Sequence, residues 1–259
     1  MIPDALTRKT ETSDKANAVE KALRVLNQFT YHPYAYSARD LSDILGYSKP
    51  TVHRILNILE EERFIRRTEN GEYTVGYKAY HVGMVYANQT DTITEIRKIV
   101  DNISRTLTEQ VGYAVLEGSQ IISLYESRLQ YSRVTYVAGV IYPINSGCYG
   151  KTLMAFSHTE EELKRIVPTL KLEPVSTGAI LSHKELLEEY LKIRRLGYAE
   201  SSNEFLDGTI GIGVPTFRKN GTVHGCIAVG TMQSPQFEQK KPFVLRELQK
   251  GAGLIGELL

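Results

Sequence analysis

The segment INSGCYGKT, residues 144–152, ends in Gly150, Lys151 and Thr152, which match the end of a phosphate-binding loop. Such a loop needs the spacing G-x-x-x-x-G-K-[S/T], because its backbone amides and its lysine cradle phosphate oxygens. Asn145 stands where the first glycine belongs, although the tight turn of that loop suits a residue without a Cβ. The motif therefore argues against a nucleotide site and leaves the purpose of the segment open.

Other residue types with catalytic or metal-binding chemistry are sparse. Cys148 and Cys226 are the two cysteines of the chain, and so few argue against a disulfide framework and a structural zinc site. The six histidines do not fall at a metal-binding helical spacing beside a carboxylate. Lys151, Cys148 and His158 could serve catalysis, but none has an identifiable base and orienting group. We expect no metal, no cofactor and no enzyme, with an enzyme that uses a second-domain pocket as the alternative.

Length and composition are those of a globular protein of two ordinary domains. The chain has 259 residues, of which 42% are hydrophobic and 24% charged. It contains no apolar run of membrane-spanning length, and its polar first residues lack a signal-peptide core, so we expect a cytoplasmic protein. The net charge of +1 does not by itself indicate a nucleic-acid partner, which must be argued from local placement.

A first helix is predicted after residue 17. Asn17 and Glu20 have the spacing of a capping box, and apolar residues follow at helical spacing: Val19, Ala22, Leu23, Leu26 and Phe29. We expect this face to be buried and the helix to end at Pro33.

Two short helices joined by a tight turn are predicted next. Ser37 and Asp40 form a second capping box, and Gly46 supplies a left-handed stop. Ser48 can cap the following helix, with Pro50 in its first turn, where a missing amide hydrogen costs nothing. A helix followed by such a pair is the helix-turn-helix pattern.

The outward face of the third helix has the residue types that read DNA. Val52, Ile55, Leu56 and Leu59 share the inner face, and the outward and flanking set contains no acid: Ser48, Lys49, Pro50, Thr51, His53, Arg54 and Asn57. Asn, Arg and His can reach base edges in a major groove while the residues near the helix start hold phosphates. The alternative is an ordinary solvated face.

A hairpin is predicted directly after that helix. The segment FIRRTENGEYTV, residues 64–75, places two β-prone runs around Asn70-Gly71, a strong hairpin signal. A hairpin here makes a winged helix-turn-helix, with Arg66 and Arg67 able to approach the DNA backbone or minor groove. The alternative is that these arginines pair with the acidic run at residues 60–62.

The remainder of the chain predicts an α+β domain on an antiparallel sheet. Strand-like runs (YAVLEG, QIISLYES, RVTYVAGVIYPI, IGIGVPTF, HGCIAVGTM) alternate with helical ones (GKTLMAF, TEEELKRIV, KELLEEYLKIRRLG) and a terminal helix near residues 238–259. Asn220-Gly221 gives a second hairpin signal.

The chain resembles the IclR-type transcriptional regulators of bacteria. The resemblance lies in VEKALRVLNQF, LSDILGYSKPTVHRILNILEEERFI, YTVGYKAYHVG, PINSGCYGKTLMAF and LGYAESSNEFLDGTIGIGVPTF, and it spans the chain from about Asn17. It implies a winged helix-turn-helix DNA-binding domain over residues 1–76, with 1–16 disordered, and a linker helix over 77–91. It further implies a GAF-like α+β domain over 92–259 that binds an effector and oligomerises.

One residue departs from this family's pattern at the end of the recognition helix. The family usually has a glycine where this chain has Arg63. A side chain in the left-handed backbone conformation costs about 1 kcal/mol, so the usual cap geometry is in question here.

The resemblance also implies an effector pocket with an altered lining. Its wall includes Gly147 and Cys148, and Glu204 could favour a ligand that carries hydrogen-bond donors. Family members that bind small carboxylates tend to have an acid, a cysteine and two serines where this chain has Ser201, Gly211, Ala228 and Gly230. Because three of those four positions lack a side-chain donor, we expect extra room and a larger or less polar ligand, or no effector at all.

Together these expectations describe a transcriptional regulator, more specifically a repressor, controlled by a small molecule. Its partners would be double-stranded DNA with an inverted-repeat operator, the effector, and further copies of itself in a dimer or tetramer, with no membrane. The main alternative is a DNA-binding protein whose second domain only oligomerises.

Overall fold

The computed structural model describes residues 17–89, 91–128, 136 and 139–259. The expectation of disorder for residues 1–16 lies outside the described residues. Contacts within the chain divide it between residues 90 and 91 into two compact units. Each unit has its own hydrophobic core.

The first unit is a winged helix-turn-helix, as predicted. Its helices are α1 (Ala18–Gln28), α2 (Ala38–Leu45), α3 (Lys49–Glu61) and α4 (Tyr77–Gln89), and its strands are β1 (Ala35–Tyr36), β2 (Ile65–Arg67) and β3 (Tyr73–Val75). The strands form an antiparallel sheet in the order β1-β3-β2. Strand β1 is too short to give a periodic signal, and the sequence did not predict it.

Both capping boxes predicted for the first unit are present. The Asn17 side chain accepts from the amide of Glu20 at 2.9 Å, and the Ser37 hydroxyl accepts from the amide of Asp40 at 3.2 Å. Each cap satisfies an amide at a helix start that would otherwise lack a partner. Gly46 ends α2 with a left-handed φ of 67°, as its position predicted.

Two expectations for α1 are wrong. The helix ends at Gln28, five residues before Pro33. Of the predicted face, Phe29 is buried and Ala22 and Leu26 pack partly buried against the core, as expected. Val19 and Leu23 are instead 68% and 54% exposed, and Val25, which the prediction left out, is buried.

Arg63 adopts the left-handed conformation usually taken by glycine, with φ 62°. Its amide donates to the carbonyl of Glu60 and the next amide, of Phe64, donates to the carbonyl of Leu59, both at 2.9 Å. This pair of bonds is a Schellman motif, which satisfies carbonyls at the end of α3. The usual cap geometry is therefore present despite the side chain.

The second unit is an α+β domain on an antiparallel sheet, as predicted. Six strands lie in the order β6-β5-β4-β9-β8-β7: β4 (Val111–Glu117), β5 (Gln120–Glu126), β6 (Ile141–Tyr142), β7 (Ala199–Ser202), β8 (Thr209–Phe217) and β9 (Val223–Met232). The helices are α5 (Asp91–Leu107), α6 (Gly147–Ser157), α7 (Glu160–Ile166), α8 (His183–Leu196) and α9 (Pro235–Leu258). Part of the strand expected over residues 133–144 lies outside the described residues.

The sheet separates two apolar cores. Helices α5 and α9 pack on one face, against side chains such as Ile212 and Val229. Helices α6 and α8 lie on the other side, with α6 directly against β8 and β9. On this face β8 presents Gly211 and Gly213, where an added Cβ would lie 2.5 Å and 2.8 Å from atoms of Cys148. The two glycines thus allow α6 to approach the sheet closely, and its N-terminus meets the strands there.

Candidate DNA interface and ligand cavity

The outward and flanking positions of α3 hold the seven residues that the sequence predicted for DNA contact from this helix. Val52, Ile55, Leu56 and Leu59 hold the helix to the core of the first unit. Thr51 is partly exposed and the others are exposed: Ser48, Lys49, Pro50, His53, Arg54 and Asn57. The hydroxyl oxygens of Ser48 and Thr51 lie 2.8 Å apart at the helix start. The face therefore presents donors and one end of the helix dipole to solvent.

Ile58 shares this face, one turn after Arg54, and is exposed. The sequence prediction placed Ile58 on neither face of the helix. An exposed apolar side chain beside donors can contact a thymine methyl group in a major groove.

The wing arginines are both exposed. The Nε of Arg67 donates to the carbonyl of Gly71 at 3.3 Å, and its guanidinium lies over the ring of Tyr73 at 5.6 Å. These contacts hold Arg67 along its own hairpin and not against the acidic run at residues 60–62. Arg66 lies beside it on β2, where it points to solvent.

A cavity lies between the sheet and the start of α6 in the second unit. Six of the seven predicted effector residues line it: Gly147, Cys148, Ser201, Gly211, Ala228 and Gly230. The other lining residues include Glu126, Tyr136, Tyr142, Tyr149, Phe205 and Thr209. Glu204 does not line this cavity and instead faces a more open cleft beside it. The structure thus gathers most of the predicted set from four separate segments of the chain.

The extra room expected at the two glycines is absent. A Cβ on Gly230 would lie 2.6 Å from the ring of Tyr136, and a Cβ on Gly211 would lie 2.5 Å from the Sγ of Cys148. The cavity has about 30 Å³ available to the centres of water-sized molecules, which is room for roughly two waters. The expectation of a roomier site is therefore wrong, because other side chains of the protein occupy the space.

The polar centre of the cavity is Glu126, which the sequence reasoning missed. Its Oε1 accepts from the hydroxyl of Ser123 at 2.7 Å and from that of Tyr149 at 3.0 Å. Its side chain is only 8% exposed in total. Burial raises the pKa of Glu126 to about 7, against the opposing effect of hydrogen bonds from Ser123, Tyr149 and Tyr142.

A β-bulge explains why Glu126 escaped prediction. Residues three apart in a regular strand point to opposite faces, so Ser123 and Glu126 should not meet. Here Tyr113 pairs with Tyr125 while Ala114 pairs with Ser123, which leaves Leu124 as the extra residue. The bulge places Glu126 on the same face of the sheet as Ser123, and the sequence QIISLYES contains no signal that predicts a bulge.

Lys151, the lysine of the Gly-Lys-Thr segment, is committed to contacts within the protein. It is 1% exposed, and its Nζ lies 2.7 Å from Glu204, 2.8 Å from Glu189 and 2.6 Å from the carbonyl of Glu200. Burial alone would lower the pKa of Lys151, but the two carboxylates outweigh it and raise the pKa. Glu204 also accepts a hydrogen bond from the backbone amide of Gly147 at 3.0 Å. The N-terminus of α6 is therefore already bound by a carboxylate of the protein itself.

Family models match most of the chain. The IclR helix-turn-helix domain matches residues 18–69, and the C-terminal domain of the bacterial transcriptional regulator IclR matches residues 84–256. The chain belongs to the IclR family.

Relatives of this IclR-family protein are transcriptional regulators. The chain is 24% identical to the HTH-type transcriptional regulator KipR of Bacillus subtilis, over 92% of this chain and 95% of that one. It is 26% identical to the regulator XynR of Escherichia coli, over 92% and 94%. This IclR-family chain is therefore a DNA-binding transcriptional regulator and not an enzyme.

Solved structures of the family share the fold. An IclR transcriptional regulator from Alicyclobacillus acidocaldarius matches with a TM-score of 0.80 at 20% identity, over 94% of this chain and 98% of that one. An IclR homolog from Microbacterium hydrocarbonoxydans, solved in complex with 4-hydroxybenzoate, matches with a TM-score of 0.70 at 18% identity, over 93% and 98%. The matches cover nearly the whole length of both chains.

The remaining chemical groups of this IclR regulator fit a binding protein. Burial raises the pKa of Cys148 to about 11, so its thiol is not activated despite its place at a helix start. Within the described residues, no group of His, Cys, Asp and Glu is arranged to hold a metal ion. In the same part of the chain, no helix is both long and apolar enough to cross a membrane.

Proposed function

We propose that this regulator is a repressor that binds an inverted-repeat operator as a homo-oligomer and releases it in response to a small molecule in the second-unit cavity. The DNA-binding part of this proposal rests on the outward face of α3. Its exposed residues from Lys49 to Asn57 include several hydrogen-bond donors and no acidic residue. A protein that binds the bacterial chromosome works in the cytoplasm.

The α3 face divides into two kinds of contact. Arg54 and Asn57 lie on the exposed middle of the helix, where side chains of these types read guanine and adenine edges. Ser48, Lys49 and Thr51 lie at its start, where they suit phosphates. We assign Arg66 and Arg67 to the backbone or minor groove beside the wing.

The self-association is supported by the surface of α4. None of the side chains described on α4, which run to Ala87, is buried. Tyr77 is 83% exposed, and other large apolar residues are exposed with it: Tyr80, Val82, Val85 and Tyr86. A helix with so much uncovered apolar surface is stable when a second copy covers it. Two copies would also supply two recognition helices, since one gives too few base contacts.

The effector half of the proposal is supported by the cavity. Its lining of mostly apolar and aromatic side chains with a few converging polar groups is typical of a small-molecule site. A relative with the same fold was solved in complex with 4-hydroxybenzoate. A ligand changes operator affinity only if it binds two conformations unequally, so the repressor must have an operator-binding form that the ligand disfavours.

Selection of DNA from a random duplex library tests the operator assignment. We expect the wild-type protein to enrich an inverted repeat, with half-sites about one helical turn or a multiple of it apart. Arg54→Ala and Asn57→Ala should each lower the preference for that repeat over random DNA by about 1–3 kcal/mol. Lys49→Ala should weaken both kinds of DNA alike and reduce the salt dependence.

Lys171→Ala, which changes an exposed lysine of the second unit, is the matched control and should bind both DNAs as wild type does. Equal losses on both DNAs for Arg54→Ala, Asn57→Ala and Lys49→Ala would refute the assignment of the α3 face. Thermal-shift measurements with a metabolite panel test the effector half, because a second unit that only oligomerises would show no ligand-dependent shift.

A further inference from the structure

The charges around the cavity limit the ligand that it can hold. Among the lining residues that the structure describes, Glu126 is acidic and none is a lysine, arginine or histidine. A buried ligand carboxylate would therefore meet a carboxyl group and no opposing charge, which is costly.

The nearest positive groups are already occupied. Lys151 bonds to Glu204, Glu189 and a backbone carbonyl, and the amide of Gly147 at the start of α6 bonds to Glu204. A helix start can attract an anion, but here the protein's own carboxylate holds that position. The anion-binding capacity of this end of the site is thus used internally.

Aromatic rings line the cavity together with Glu126. The ring of Phe205 lies 4.8 Å from that of Tyr142 and 6.2 Å from that of Tyr136, measured between centroids. Tyr149 meets Tyr142 edge to face at 5.0 Å. Ring faces attract cations, most strongly where water is excluded. A buried carboxyl beside aromatic rings favours a positively charged group.

We propose that the cavity binds a small organic amine, whose ammonium group donates to Glu126 and contacts the surrounding rings. This inference rests on the proposed effector function of the same cavity. Glu126 accepts from Ser123, Tyr149 and Tyr142, and an ionised carboxylate has about four lone-pair directions, so one acceptor position remains for a ligand. The contrast is with 4-hydroxybenzoate, the carboxylate bound by the relative from Microbacterium hydrocarbonoxydans.

Tyr136 controls the space for such a ligand. Its backbone is held by Gln110, whose side chain donates to the Tyr136 carbonyl at 2.8 Å and accepts from its amide at 3.0 Å. Its ring fills the space over Gly230. An amine larger than about two water molecules therefore enters by displacing this ring, with the backbone anchor in place.

Calorimetry on the full-length protein tests the ligand class with matched probes: butylamine, butanol and butyrate, and the corresponding benzylamine, benzyl alcohol and benzoate. We expect each amine to bind at least about tenfold more tightly than its alcohol, a difference of about 1.4 kcal/mol, and each carboxylate to bind weakest. Glu126→Gln should remove the preference for the amine. Glu117→Gln, which changes an exposed acid on the adjacent strand, should preserve it.

The pH dependence of wild-type binding is a second test that needs no variant. Affinity for butylamine should rise from pH 6 to pH 8, because the pKa of Glu126 lies near 7 and the ionised form binds the ammonium. The other titratable groups around the cavity and Glu126 are Tyr136, Tyr142, Cys148, Tyr149 and Cys226, and burial raises the pKa of each, so they stay neutral in this range.

Tighter binding of butyrate than of butylamine would overturn the amine inference and leave the cavity as an effector site. Absence of binding by all six probes, at concentrations that saturate weak sites, would overturn it as well. Operator binding by the same preparation would then show that the DNA half of the proposed function stands independently. A Glu126→Gln protein that fails to fold leaves the wild-type probe ranking and pH profile to decide.

Discussion

At the scale of single residues, Glu126 links the cavity to the stability of the second unit. Its ordinary pKa is 4.5 and burial raises it to about 7 in the folded protein. A raised carboxyl pKa contributes stability that is fully present below pH 4.5 and is lost as the pH rises through 7. The buried carboxyl of the cavity therefore lowers the stability of the second unit near neutral pH.

We predict that the unfolding free energy of Glu126→Gln, taken relative to wild type, is on the order of 2–3 kcal/mol greater at pH 8 than at pH 5. Glutamine keeps an acceptor for the hydroxyls of Ser123 and Tyr149 and removes the buried charge. Denaturant unfolding of both proteins at the two pH values measures this change, with Glu117→Gln as the control. A stability difference that does not vary with pH would show that Glu126 does not titrate in this range.

At the scale of elements, the packing of α6 on β8 depends on two glycines that face the helix. Gly211 and Gly213 alternate with Ile210, Ile212 and Val214, whose side chains enter the core on the other face. Between residues 210 and 214 the strand is thus apolar on one side and has only glycines on the other. This arrangement sets the height of the α6 start above the sheet and with it the depth of the cavity.

We predict that Gly213→Ala destabilises the second unit by about 1–3 kcal/mol, because the new Cβ would lie 2.8 Å from the Cβ of Cys148. Gly253→Ala on α9 is the matched control, since its Cβ would meet nothing within 4 Å and alanine favours a helix. Denaturant unfolding should show a loss for the first and no loss for the second. Similar stability of both variants would mean that α6 is free to shift away from the sheet.

The helix caps and turns of this fold could be predicted from the sequence, and the buried face of α1 could not be predicted in full. Local signals succeeded: the capping boxes, Gly46, and the Asn-Gly turns, in which Gly71 and Gly221 both have left-handed φ values. The prediction for α1 failed at Val19, which is exposed, and at Val25, which is buried, because the burial of each depends on where the neighbouring elements pack.

Within the site, the sequence reasoning reached residues through family resemblance and missed those defined by distant contacts. Lys151 finds its partners 38 and 53 residues further along the chain, and Glu126 enters the cavity through a bulge. Neither event leaves a periodic or spacing signal. The expectation of extra room at Gly230 was wrong for the same reason, because the ring of Tyr136, from another part of the chain, occupies that space.

At the scale of the whole molecule, each unit has a core of its own. The second unit buries apolar clusters on both faces of its sheet, and the first unit buries a separate cluster among α1, α2 and α3. Separate cores of this size predict that the units fold independently.

We predict that a fragment of residues 91–259 folds cooperatively. We also expect it to be at least dimeric without DNA, because the family resemblance implies oligomer contacts in the second unit in addition to those proposed for α4. Circular dichroism and light scattering measure the two properties, with the full-length protein as the reference. A folded but monomeric fragment would place the oligomer contacts in the first unit, where α4 exposes its apolar residues. An unfolded fragment would contradict the independence of the cores.

The ring of Tyr136 over Gly230 has a consequence for how this regulator can evolve. The strands that form the sheet are constrained on both faces, since a change at Gly211 or Gly213 disturbs the position of α6. Tyr136 lies outside the strands, and its backbone is held by Gln110 whatever its side chain. A single codon change at this position would enlarge or reshape the cavity while the scaffold stays intact, so ligand preference can diverge between descendants faster than their fold.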